Sequence, residues 1–590
     1  MLTPHSSHAL RLAALALLPF VSPLQSSVAA PDAEPTAGVT VDATPVGASS
    51  VETPAARDAR MRWWREAKFG LFIHWGVYAV PAGAYGDKKT YGEWIMHSAK
   101  IPVAEYRGFA AKFNPVKYDP TLWAEIARDA GMRYVVITSK HHDGFALYPS
   151  AATSWDIEDA TPYRRDLLGP LVKAAQSKGL KIGFYYSQAQ DWIHEGGAKS
   201  GFQEGGGWDE AHKGSFDSYL RNIAEPQVTE LLTRYPIDIL WWDTPTWMNA
   251  ARTRQLAALT KLRPGLITNN RLGTGFGGDT GTPEQFVPVT GFKGDWETCM
   301  TMNGHWGYNA ADDRWKSSSE LIRKLADICA KGGNFLLNVG PTAEGEFPAP
   351  CVERLCDMGR WLRVNGESIY GTSAGPFAHL SWGVATRKGD LLYLHVFDWP
   401  RDGKLRVPVR NKAKAAWLMG SPGSTLSVAQ EAERLVISVP AQAPDPVDSV
   451  VVLQLSGEPV VQPLPTVGAT ATASASQEGS AAANVLDGTG ERRWRAPLET
   501  KVASLEIDLG RSVDLNGIGC DEPDVWPRLR QKYVVEGLGA DGWIKLTEGS
   551  TEGHGFKGAF GQVKLQKVRI TLECAKGAPG LAEVQLYRPE

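Results

Sequence analysis

The segment at residues 239–244 reads Ile-Leu-Trp-Trp-Asp-Thr, an apolar run typical of a buried strand that ends on an aspartate. Side chains alternate between the two faces of a strand, so Asp243 shares a face with Trp241. In a parallel α/β barrel, this strand end would place an anion beside an aromatic wall at the face where such barrels keep their active sites. An aspartate here can also act only as the cap of the next helix. The choice between these two interpretations depends on the other segments of the chain.

Strand-like runs and helical stretches alternate on both sides of this segment. The further runs are FGLFIHWG at 69–76, YVVITSKHH at 134–142, KIGFYYS at 181–187, LITNNR at 266–271, WETCM at 296–300 and FLLNVG at 335–340. Helical stretches lie between them at 120–131, 166–179, 214–235 and 317–331. Alternation of this kind is typical of parallel strands joined by helices. We therefore expect an irregular (β/α)8-like barrel over residues 58–373, with seven evident strands rather than eight.

Two further regions follow the predicted barrel. Residues 374–456 contain short alternating runs separated by Gly, Pro and Asp, which predicts a small antiparallel β-sandwich. Residues 457–467 are rich in Pro and predict a linker, and residues 468–590 predict a second all-β unit of the jelly-roll type. The protein is therefore expected to contain several domains.

The first residues are typical of an export signal. Arg11 precedes an apolar stretch at 12–21, and small residues follow at 27–30, so residues 1–30 are predicted to be a signal peptide. Residues 31–57 are rich in Ala, Thr, Pro and Ser without periodicity, which predicts a disordered linker. The expected location of the protein is secreted or periplasmic.

The composition excludes several classes of function. The net charge is -3 and basic residues are scattered, so we expect no nucleic acid partner. Beyond the signal peptide no apolar segment approaches the length of about 20 residues that spans a bilayer, so we expect no membrane insertion. The six cysteines show no metal-binding spacing, and the sequence leaves open whether Cys520 and Cys574 form a disulfide. The oligomeric state cannot be predicted from these features.

Polar side chains also mark the ends of the other predicted strands. Phe72 and His74 share one face of the first strand, and Lys-His-His-Asp at 140–143 follows the second. Pairs on one strand face end two later strands, Tyr185 with Ser187 and Asn269 with Arg271. Parallel strands of a barrel all end at one face, so these clusters are expected to meet there.

His141 and His142 raise the possibility of a metal site. Adjacent residues on a strand point to opposite faces, so the two rings converge only if the backbone turns at this point. No third ligand arrives at a characteristic spacing. Hydrogen bonding to vicinal hydroxyls explains the pair better, because imidazole both donates and accepts hydrogen bonds.

The pairing of an anion with an aromatic wall, in a chain with 21 Trp residues, suits sugar chemistry. Glycoside hydrolysis would need a second carboxylate beside Asp243, and two residues are candidates. Glu284 lies in GDTGTPEQ, a Gly-rich loop, and Glu297 lies in the strand-like GDWETCM. A glutamate in a mobile loop can close over a substrate, whereas one at a strand start after Trp can be buried for structural reasons.

These motifs, in this order, resemble glycoside hydrolase family 29, the α-L-fucosidases. The resemblance covers residues 58–455 and rests on KFGLFIHWG, the Glu-Trp pair at 93–94, KHHDGF, the Tyr-Tyr-Ser strand, LWWD, NNRLG, WGYN and GGNFLLNVGPTAEG. It implies an enzyme that removes terminal α-L-fucose from oligosaccharides or glycoconjugates with retention of configuration, through a covalent glycosyl-enzyme, and without a metal or other cofactor.

The resemblance also implies roles for individual residues. Asp243 matches the nucleophile, and Glu284 matches one pattern for the acid/base, whereas Glu297 matches a pattern proposed for other members; we favour Glu284. The residues that match sugar-binding positions are His74, Glu93, Trp94, His141, His142 and Tyr185. Trp241 and Arg271 match positions lining the same pocket, and Phe72 and Trp306 match aromatic residues around the fucose methyl group. The TPEQ loop resembles the branch that prefers α-1,3- and α-1,4-linked fucose.

The last region resembles discoidin-type (F5/8 type C) and family 32 carbohydrate-binding modules. The resemblance rests on ANVLDGTGERRW, LEIDLG, the Tyr-Val-Val-Glu-Gly strand and the closing EVQLY. Trp494, Trp526 and Arg528 are either sugar contacts or packing residues. Two other functions stay open, namely a non-catalytic fucose-binding lectin and a metal-dependent hydrolase centred on His141 and His142.

Overall fold

The computed structural model describes residues 52–523, 528–551 and 553–589. The predicted signal peptide and most of the predicted linker at 31–57 lie outside these residues, as does Trp526. Within them, the α-helices are α1 (Pro54–Ala67), α2 (Ile95–Ser98), α3 (Val103–Ala110), α4 (Pro120–Asp129), α5 (Leu168–Ser177), α6 (Phe216–Tyr219), α7 (Glu225–Arg234), α8 (Ala250–Ala257), α9 (Ser318–Ala330) and α10 (Ala349–Asn365). Short 3-10 helices lie at Val77–Ala79, Glu210–His212, Ala258–Leu262, Gly366–Ser368 and Ala482–Leu486, and a π-helical turn at Leu220–Ala224 joins α6 to α7.

The first sheet is parallel and contains the strand runs predicted from the sequence. Its strands are β1 (Phe69–Ile73), β2 (Tyr134–Lys140), β3 (Lys181–Tyr186), β4 (Ile239–Trp242), β5 (Ile267–Thr268), β6 (Glu297–Thr301) and β7 (Asn334–Val339). Their order in the sheet is β5-β4-β3-β2-β1-β7-β6, with every neighbouring pair parallel. The result is a parallel β/α half-barrel, which confirms the predicted parallel α/β architecture, although seven regular strands among the described residues do not complete the predicted eight-stranded barrel.

The eighth strand of a complete barrel is replaced by an irregular segment. Isolated parallel bridges join Asn269 to Thr280, Gly281 to Trp296 and Glu284 to Cys299. Residues 280–284 therefore lie between the ends of β5 and β6 and touch both without forming a regular strand. The segment reads Thr-Gly-Thr-Pro-Glu, and its short length and its Gly and Pro, which both disfavour regular strands, explain why no strand was evident in the sequence.

Side chains of the parallel strands alternate between two hydrophobic clusters. One face joins the large cluster shared with the helices, for example Leu71 and Ile137. The opposite face forms a smaller inner cluster that includes Phe72, Tyr185 and Trp241. Because side chains alternate along each strand, every second residue packs against the helices. The residues between them point to the opposite face, on which Asp243 and His74 lie.

Helix α1 covers the amino ends of these strands. Its Met61 and Trp64 belong to the inner cluster, and Asn334 Nδ2 at the start of β7 donates to Trp64 O at 2.7 Å. The sequence prediction extended the disordered linker to residue 57, but the helix begins at Pro54. Proline suits the first helical position, and Thr53 Oγ1 accepts from Ala56 N at 3.2 Å, so this end is capped.

Antiparallel sheets follow the half-barrel. The first strands are β8 (Ser373–Ala374), β9 (Gly383–Lys388), β10 (Leu391–Val396), β11 (Lys404–Val407), β12 (Ala413–Leu418), β13 (Ser421–Thr425), β14 (Val428–Glu431), β15 (Arg434–Ser438) and β16 (Ser449–Leu455). They form a sheet of order β13-β12-β16-β10-β9-β8 and another of order β11-β15-β14. Leu394 of β10 and Leu435 of β15 belong to one hydrophobic cluster, so the two sheets pack against each other.

The last strands form the sheet that we call the C-terminal sheet. They are β17 (Thr470–Ala473), β18 (Trp494–Arg495), β19 (Val502–Asp521), β20 (Gln531–Gly539), β21 (Gly542–Ser550), β22 (Gly555–Cys574), β23 (Gly580–Leu581) and β24 (Glu583–Tyr587). The main order is β17-β19-β22-β20-β21, with β24 paired to β19 and with β18 and β23 as a separate pair. Trp494 is buried in the core of this region, and Cys520 and Cys574 are free, buried thiols rather than a disulfide. No helix within the described residues is long and apolar enough to cross a membrane.

Candidate active site

Asp243 directly follows β4 and lies at the carboxyl end of the parallel sheet. Its Oδ2 accepts from the Tyr185 hydroxyl at 2.7 Å, and its Oδ1 accepts from Arg271 Nη1 at 2.9 Å. Its backbone N–H donates to Gln188 Oε1 at 3.0 Å, which fixes the main chain at this point. About an eighth of the side chain stays exposed, at 13%. The carboxylate is therefore held by two donors and is still accessible to a ligand.

The surroundings of Asp243 favour its ionised form. Burial alone would raise the pKa of this carboxyl, because a charge is poorly solvated inside a protein. The positive charge of Arg271 and the hydrogen bonds from Tyr185 and Arg271 together outweigh burial, and the pKa of Asp243 falls below its ordinary value. At neutral pH this group is an anion suited to nucleophilic attack or to stabilisation of a positive charge.

Three histidines stand beside Asp243. The ring centroids of His74 and His141 are 5.6 Å apart, and those of His141 and His142 are 4.1 Å apart. The two adjacent rings converge because β2 ends at Lys140 and the chain turns there, with Gly144 N donating to His141 O at 3.0 Å. This is the backbone turn that the sequence argument required.

Burial keeps these imidazoles neutral. It lowers the pKa of His74 to about 4 and that of His142 to about 3, and it lowers the pKa of His141 well below its ordinary value. His142 Nε2 lies 3.5 Å from Asp243 Oδ2, but a neutral ring makes no ion pair with that carboxylate. The three histidines therefore act as hydrogen-bonding groups and not as cations.

The hydrogen-bond network also assigns the tautomers of two rings. Asn338 Nδ2 donates to Trp306 O at 2.7 Å, so its Oδ1 accepts from His74 Nδ1 at 2.7 Å. The Ser187 hydroxyl donates to Gln190 O at 2.8 Å and accordingly accepts from His142 Nδ1 at 2.6 Å. Both Nε2 atoms are left as acceptors. A hydroxyl-rich ligand can therefore donate hydrogen bonds to this row of rings.

The charged residues that flank the two histidines do not belong to the site. Lys140 Nζ donates to Asp191 Oδ2 at 3.0 Å, and Asp143 Oδ2 accepts from the Tyr106 hydroxyl at 2.9 Å. Lys140, Asp143 and Asp191 are completely buried. Within the described residues, no group of three or more His, Cys, Asp or Glu side chains is arranged to hold a metal ion.

Aromatic rings form the floor and one wall of the site. Phe72 is 1% exposed and packs against Trp241 at 5.1 Å and His74 at 4.5 Å between ring centroids. Trp306 is only partly buried and lies 5.0 Å from His74 and 5.9 Å from Phe72. Tyr185 stacks on Trp241 at 5.7 Å with an angle of 18° between the rings. Phe72 is thus part of the floor, whereas Trp306 remains partly exposed.

Arg271 joins the two proposed carboxylates. Its Nη1 donates to Asp243 Oδ1 at 2.9 Å and to Glu284 Oε2 at 2.8 Å, so these two oxygens can be no further apart than the sum of the distances, about 5.7 Å. Retaining glycosidases place their two carboxyl groups about 5 to 5.5 Å apart. The Glu284 side chain is one third exposed, at 33%. This upper limit lies below the separation of about 6.5 to 9.5 Å between the two carboxyl groups of inverting glycosidases, and the Glu284 side of the pair has an open approach.

Glu297 occupies a different place. It lies under Trp241, whose Nε1 donates to Glu297 Oε1 at 3.2 Å, and it accepts a short hydrogen bond from the Tyr134 hydroxyl. The residue is 2% exposed, and burial raises its pKa to about 7. The ring of Trp241 therefore separates this carboxyl from the surface on which Asp243 and Glu284 meet.

Glu93 and Trp94 border the same cluster from a loop before α2. Glu93 Oε2 accepts from Gly307 N at 2.9 Å, which ties it to the segment that carries Trp306, and burial raises the pKa of this carboxyl. The Trp94 ring is 5.2 Å from that of His142. The structure therefore gathers the predicted site residues around Asp243, with Glu297 as the exception.

The residues that follow the two proposed carboxylates share an unusual backbone conformation. Thr244 has a φ of 48° and Gln285 a φ of 66°. Left-handed conformations are uncommon outside glycine and costly for a β-branched residue, and they concentrate at functional sites. Asp243 and Glu284 each stand immediately before such a turn.

Sequence reasoning missed two residues that organise the site. Gln188 accepts from Asp243 N, and its Nε2 donates to Arg271 O at 2.8 Å, so one amide ties the two strand ends together. Asn338 sets the orientation of His74. Gln188 follows the Tyr-Tyr-Ser strand and Asn338 lies in FLLNVG, so a polar residue near a strand end was the available signal for both.

Comparison with known proteins places this geometry among fucose-removing enzymes. The family model described as Alpha-L-fucosidase matches residues 44–367. The Alpha-L-fucosidase of Branchiostoma floridae is 32% identical over 411 residues, which are 64% of this chain and 88% of that protein. Alpha-L-fucosidase isoenzyme 1 from Paenibacillus thiaminolyticus is 36% identical, with a TM-score of 0.62 over 68% of this chain and 99% of the other.

A further similar structure was solved as a reaction intermediate. It is a GH29 alpha-L-fucosidase from Bacteroides thetaiotaomicron trapped as a covalent intermediate in complex with 2-fluoro-fucosyl fluoride. It is 29% identical to this chain, with a TM-score of 0.61 over 71% of this chain and the whole of the other.

Proposed function

The chain belongs to the α-L-fucosidase family, and we propose that it hydrolyses terminal α-L-fucose with Asp243 as the nucleophile and Glu284 as the acid/base. The observation that carries this assignment is the single Arg271 Nη1 atom that binds both carboxylates, at 2.9 and 2.8 Å. The substrates are fucosylated oligosaccharides or glycoconjugates.

The first step forms a bond between an Asp243 oxygen and the anomeric carbon of fucose. The bond from that carbon to the leaving oxygen breaks, and Glu284 gives its proton to the leaving oxygen. The ionised state of Asp243, maintained by Arg271 despite burial, provides the attacking electron pair. The product of this step is a fucosyl-enzyme and a free acceptor sugar.

The second step returns the enzyme to its starting state. Glu284, now ionised, removes a proton from water, and the resulting oxygen attacks the anomeric carbon. The bond to Asp243 breaks and fucose leaves with its original configuration, because two displacements have occurred at the same carbon. The partial exposure of Glu284 supports this role, since water and the acceptor must both reach it.

Glu297 does not suit the acid/base role. It is covered by Trp241 and bonded to Tyr134, and a group that is 2% exposed has no path to a leaving oxygen. We propose that it supports the floor of the site by fixing the Trp241 indole.

Recognition of the sugar is assigned to the histidine row and the aromatic walls. The Nε2 acceptors of His74 and His142 are suited to the hydroxyls of fucose, while Trp306 and the buried Phe72 offer an apolar surface for its methyl group. His141 Nδ1 is buried without a hydrogen-bond partner among the described residues, which supports its use by a ligand.

The sharpest test of the nucleophile is covalent capture. Incubation with 2-deoxy-2-fluoro-fucosyl fluoride should add one fluorofucosyl group, and peptide mapping by mass spectrometry should locate it on Asp243. The variant Asp243→Ala serves as the matched control and should stay unlabelled. A label on another residue would show that the nucleophile has been assigned wrongly.

The preferred linkage is proposed to be α-1,3 or α-1,4. The support is the TPEQ loop that carries Glu284, which resembles loops of the branch with this preference. A panel of branched and linear fucosylated oligosaccharides, with linkage isomers of equal composition, tests it by the order in which fucose is released. Faster release from α-1,2- or α-1,6-linked isomers would contradict it.

Two further proposals concern the ends of the chain. We propose export to the periplasm or the medium, supported by the signal-like residues 1–30, and amino-terminal sequencing of the mature protein would reveal cleavage near residue 30. We also propose that the C-terminal sheet is a discoidin-like unit, supported by its sequence motifs and its antiparallel strands.

A further inference from the structure

The carbonyl of Glu284 is bonded to the C-terminal sheet. Arg528, which precedes β20, donates from Nη2 to Glu284 O at 2.6 Å. The two residues are 244 positions apart in the chain. A charge-assisted hydrogen bond of this kind fixes the main chain of the residue whose side chain is the proposed acid/base.

His554 extends this contact to the next part of the loop. Its Nε2 accepts from Arg528 Nη1 at 2.9 Å, and its ring stacks on Phe286 with 4.4 Å between centroids and an angle of 19°. Burial, followed by the charge of Arg528, lowers the pKa of His554 to about 4, so the ring is neutral and able to accept. Arg528 and His554 thus hold Glu284 and Phe286 as one unit.

Asp521, at the end of β19, holds the following residues. Its Oδ1 accepts from Val289 N at 2.6 Å and its Oδ2 from Thr290 N at 2.8 Å, and the Thr290 hydroxyl bonds to the same carboxylate. One buried carboxylate therefore satisfies two consecutive amides of the loop.

The barrel supplies only part of the support for this loop. On that side, Gln285 N donates to Cys299 O at 2.9 Å and the Thr298 hydroxyl donates to Phe286 O at 3.1 Å. A cleft of about 820 Å³, lined by Gln285, Phe286, Val287 and residues of α9, runs along the same segment. Without the C-terminal contacts, residues 286–290 would border open space over much of their length.

We propose that Asp521, Arg528 and His554 are positioning residues for Glu284, so that the C-terminal sheet is part of the catalytic machinery and not only an appended binding module. This inference rests on the proposed acid/base role of Glu284. A displacement of about 1 Å at a reacting group can cost on the order of 10²-fold in rate, so a small shift of the loop is enough to matter.

The test compares two substrates that differ in their need for an acid. A fucosylated oligosaccharide requires protonation of its leaving oxygen, whereas fucosyl fluoride releases fluoride with little assistance. The variant Arg528→Leu should reduce kcat/KM on the oligosaccharide by about 10- to 100-fold and leave the first-turnover burst of fluoride nearly unchanged. Arg528→Lys, which keeps a donor, should recover part of the lost oligosaccharide activity.

The matched control is Arg569→Leu. Arg569 lies in β22 and contacts Glu506 at 3.0 Å and the Trp543 ring at 3.9 Å, all within the C-terminal sheet. It should affect neither substrate. If Arg528→Leu does not fold, the two substrates are compared with His554→Ala instead, because His554 accepts the hydrogen bond from Arg528 and stacks on Phe286.

Two results would overturn the proposal. One is an Arg528→Leu enzyme with oligosaccharide activity within about two-fold of the parent, and the other is an equal loss on both substrates. Glu284→Ala is measured in parallel. If azide restores turnover to Glu284→Ala while Arg528→Leu behaves like the parent, the acid/base assignment stands and only the positioning role of Arg528 is wrong. If azide has no effect on Glu284→Ala, the acid/base assignment itself is wrong.

Discussion

The two sides of the active site are built in different ways. Asp243 and the histidines stand at the ends of β1 to β4, strands that are paired on both sides within a continuous sheet. Glu284 stands in a segment joined to the sheet by isolated bridges and bonded to residues of the C-terminal sheet. Sheet register thus fixes the proposed nucleophile, while contacts distant in sequence fix the proposed acid/base. The chemical demands on the two groups match this difference. An attacking group must be held rigidly, whereas the acceptor sugar and water must both be able to reach the acid.

The largest expected effect is on the strand-end side. Asp243→Ala removes the atom that bonds to fucose, so kcat should fall on the order of 10⁴-fold or more, as for other covalent nucleophiles. The fold should persist, and circular dichroism checks this. Added azide should restore some turnover and give fucosyl azide of inverted configuration, since only one displacement remains. Activity within a few-fold of the parent would place the nucleophile elsewhere.

On the loop side, Glu284→Ala should have a smaller and substrate-dependent effect. Loss of general acid catalysis should cost about 10²- to 10⁴-fold on poor leaving groups and far less on fucosyl fluoride. Azide should restore turnover with retained configuration, because it attacks the fucosyl-enzyme already formed on Asp243. The configuration of the azide product therefore separates the two carboxylates, and an inverted product from this variant would contradict the assignment.

Arg271 contacts carboxylates on both sides of the site, and its replacement should change how kcat/KM depends on pH. The guanidinium lowers the pKa of Asp243 against the opposing effect of burial, so Arg271→Met should raise that pKa and shift the acid limb of kcat/KM to higher pH. The loss at the optimum should be on the order of 10²-fold. Tyr185→Phe removes a neutral donor from the same carboxylate and should shift the limb in the same direction by less. An unmoved acid limb in Arg271→Met would mean that Asp243 does not control it.

The smallest effect on activity is expected from Glu297→Gln, which should stay within a few-fold of the parent. Burial raises the pKa of this carboxyl from 4.5 to about 7 in the native state. The native protein therefore binds a proton more tightly than the unfolded chain, and stability from this group is present below pH 4.5 and lost as the pH rises through 7. The free energy involved is roughly 3 kcal/mol.

Unfolding by denaturant across this pH range tests the assignment. The Gln variant should gain stability relative to the parent as the pH rises from 4.5 to 7, because it has no charge to bury. A constant difference would show that Glu297 is ionised throughout. A large, azide-restored loss of activity would exchange the roles of Glu297 and Glu284.

The sequence predicted the strand-end side well. Alternation in runs such as FGLFIHWG placed His74 and Phe72 on one face, and the parallel order of the strands brought their ends together. The choice between Glu284 and Glu297 depended on which of the two carboxyl groups is buried under the Trp241 ring. The packing of β2, β4 and β6 against one another determines this, and a local sequence pattern does not reveal it. Arg528 lies far from Glu284 in the chain and in a region of different fold, so no local pattern could link them. The domain boundaries and the preference for α-1,3- or α-1,4-linked fucose stay predictions.

The contact between Arg528 and Glu284 also sets an order of events during synthesis. A growing chain has released every strand of the parallel sheet once Val339 has emerged, whereas Asp521 and Arg528 are translated much later. Until then, Glu284, the proposed proton donor, lacks the hydrogen bond from Arg528. On the proposed roles of Arg528 and Glu284, proteolytic loss of the last region should leave a molecule that still holds fucose and turns it over slowly.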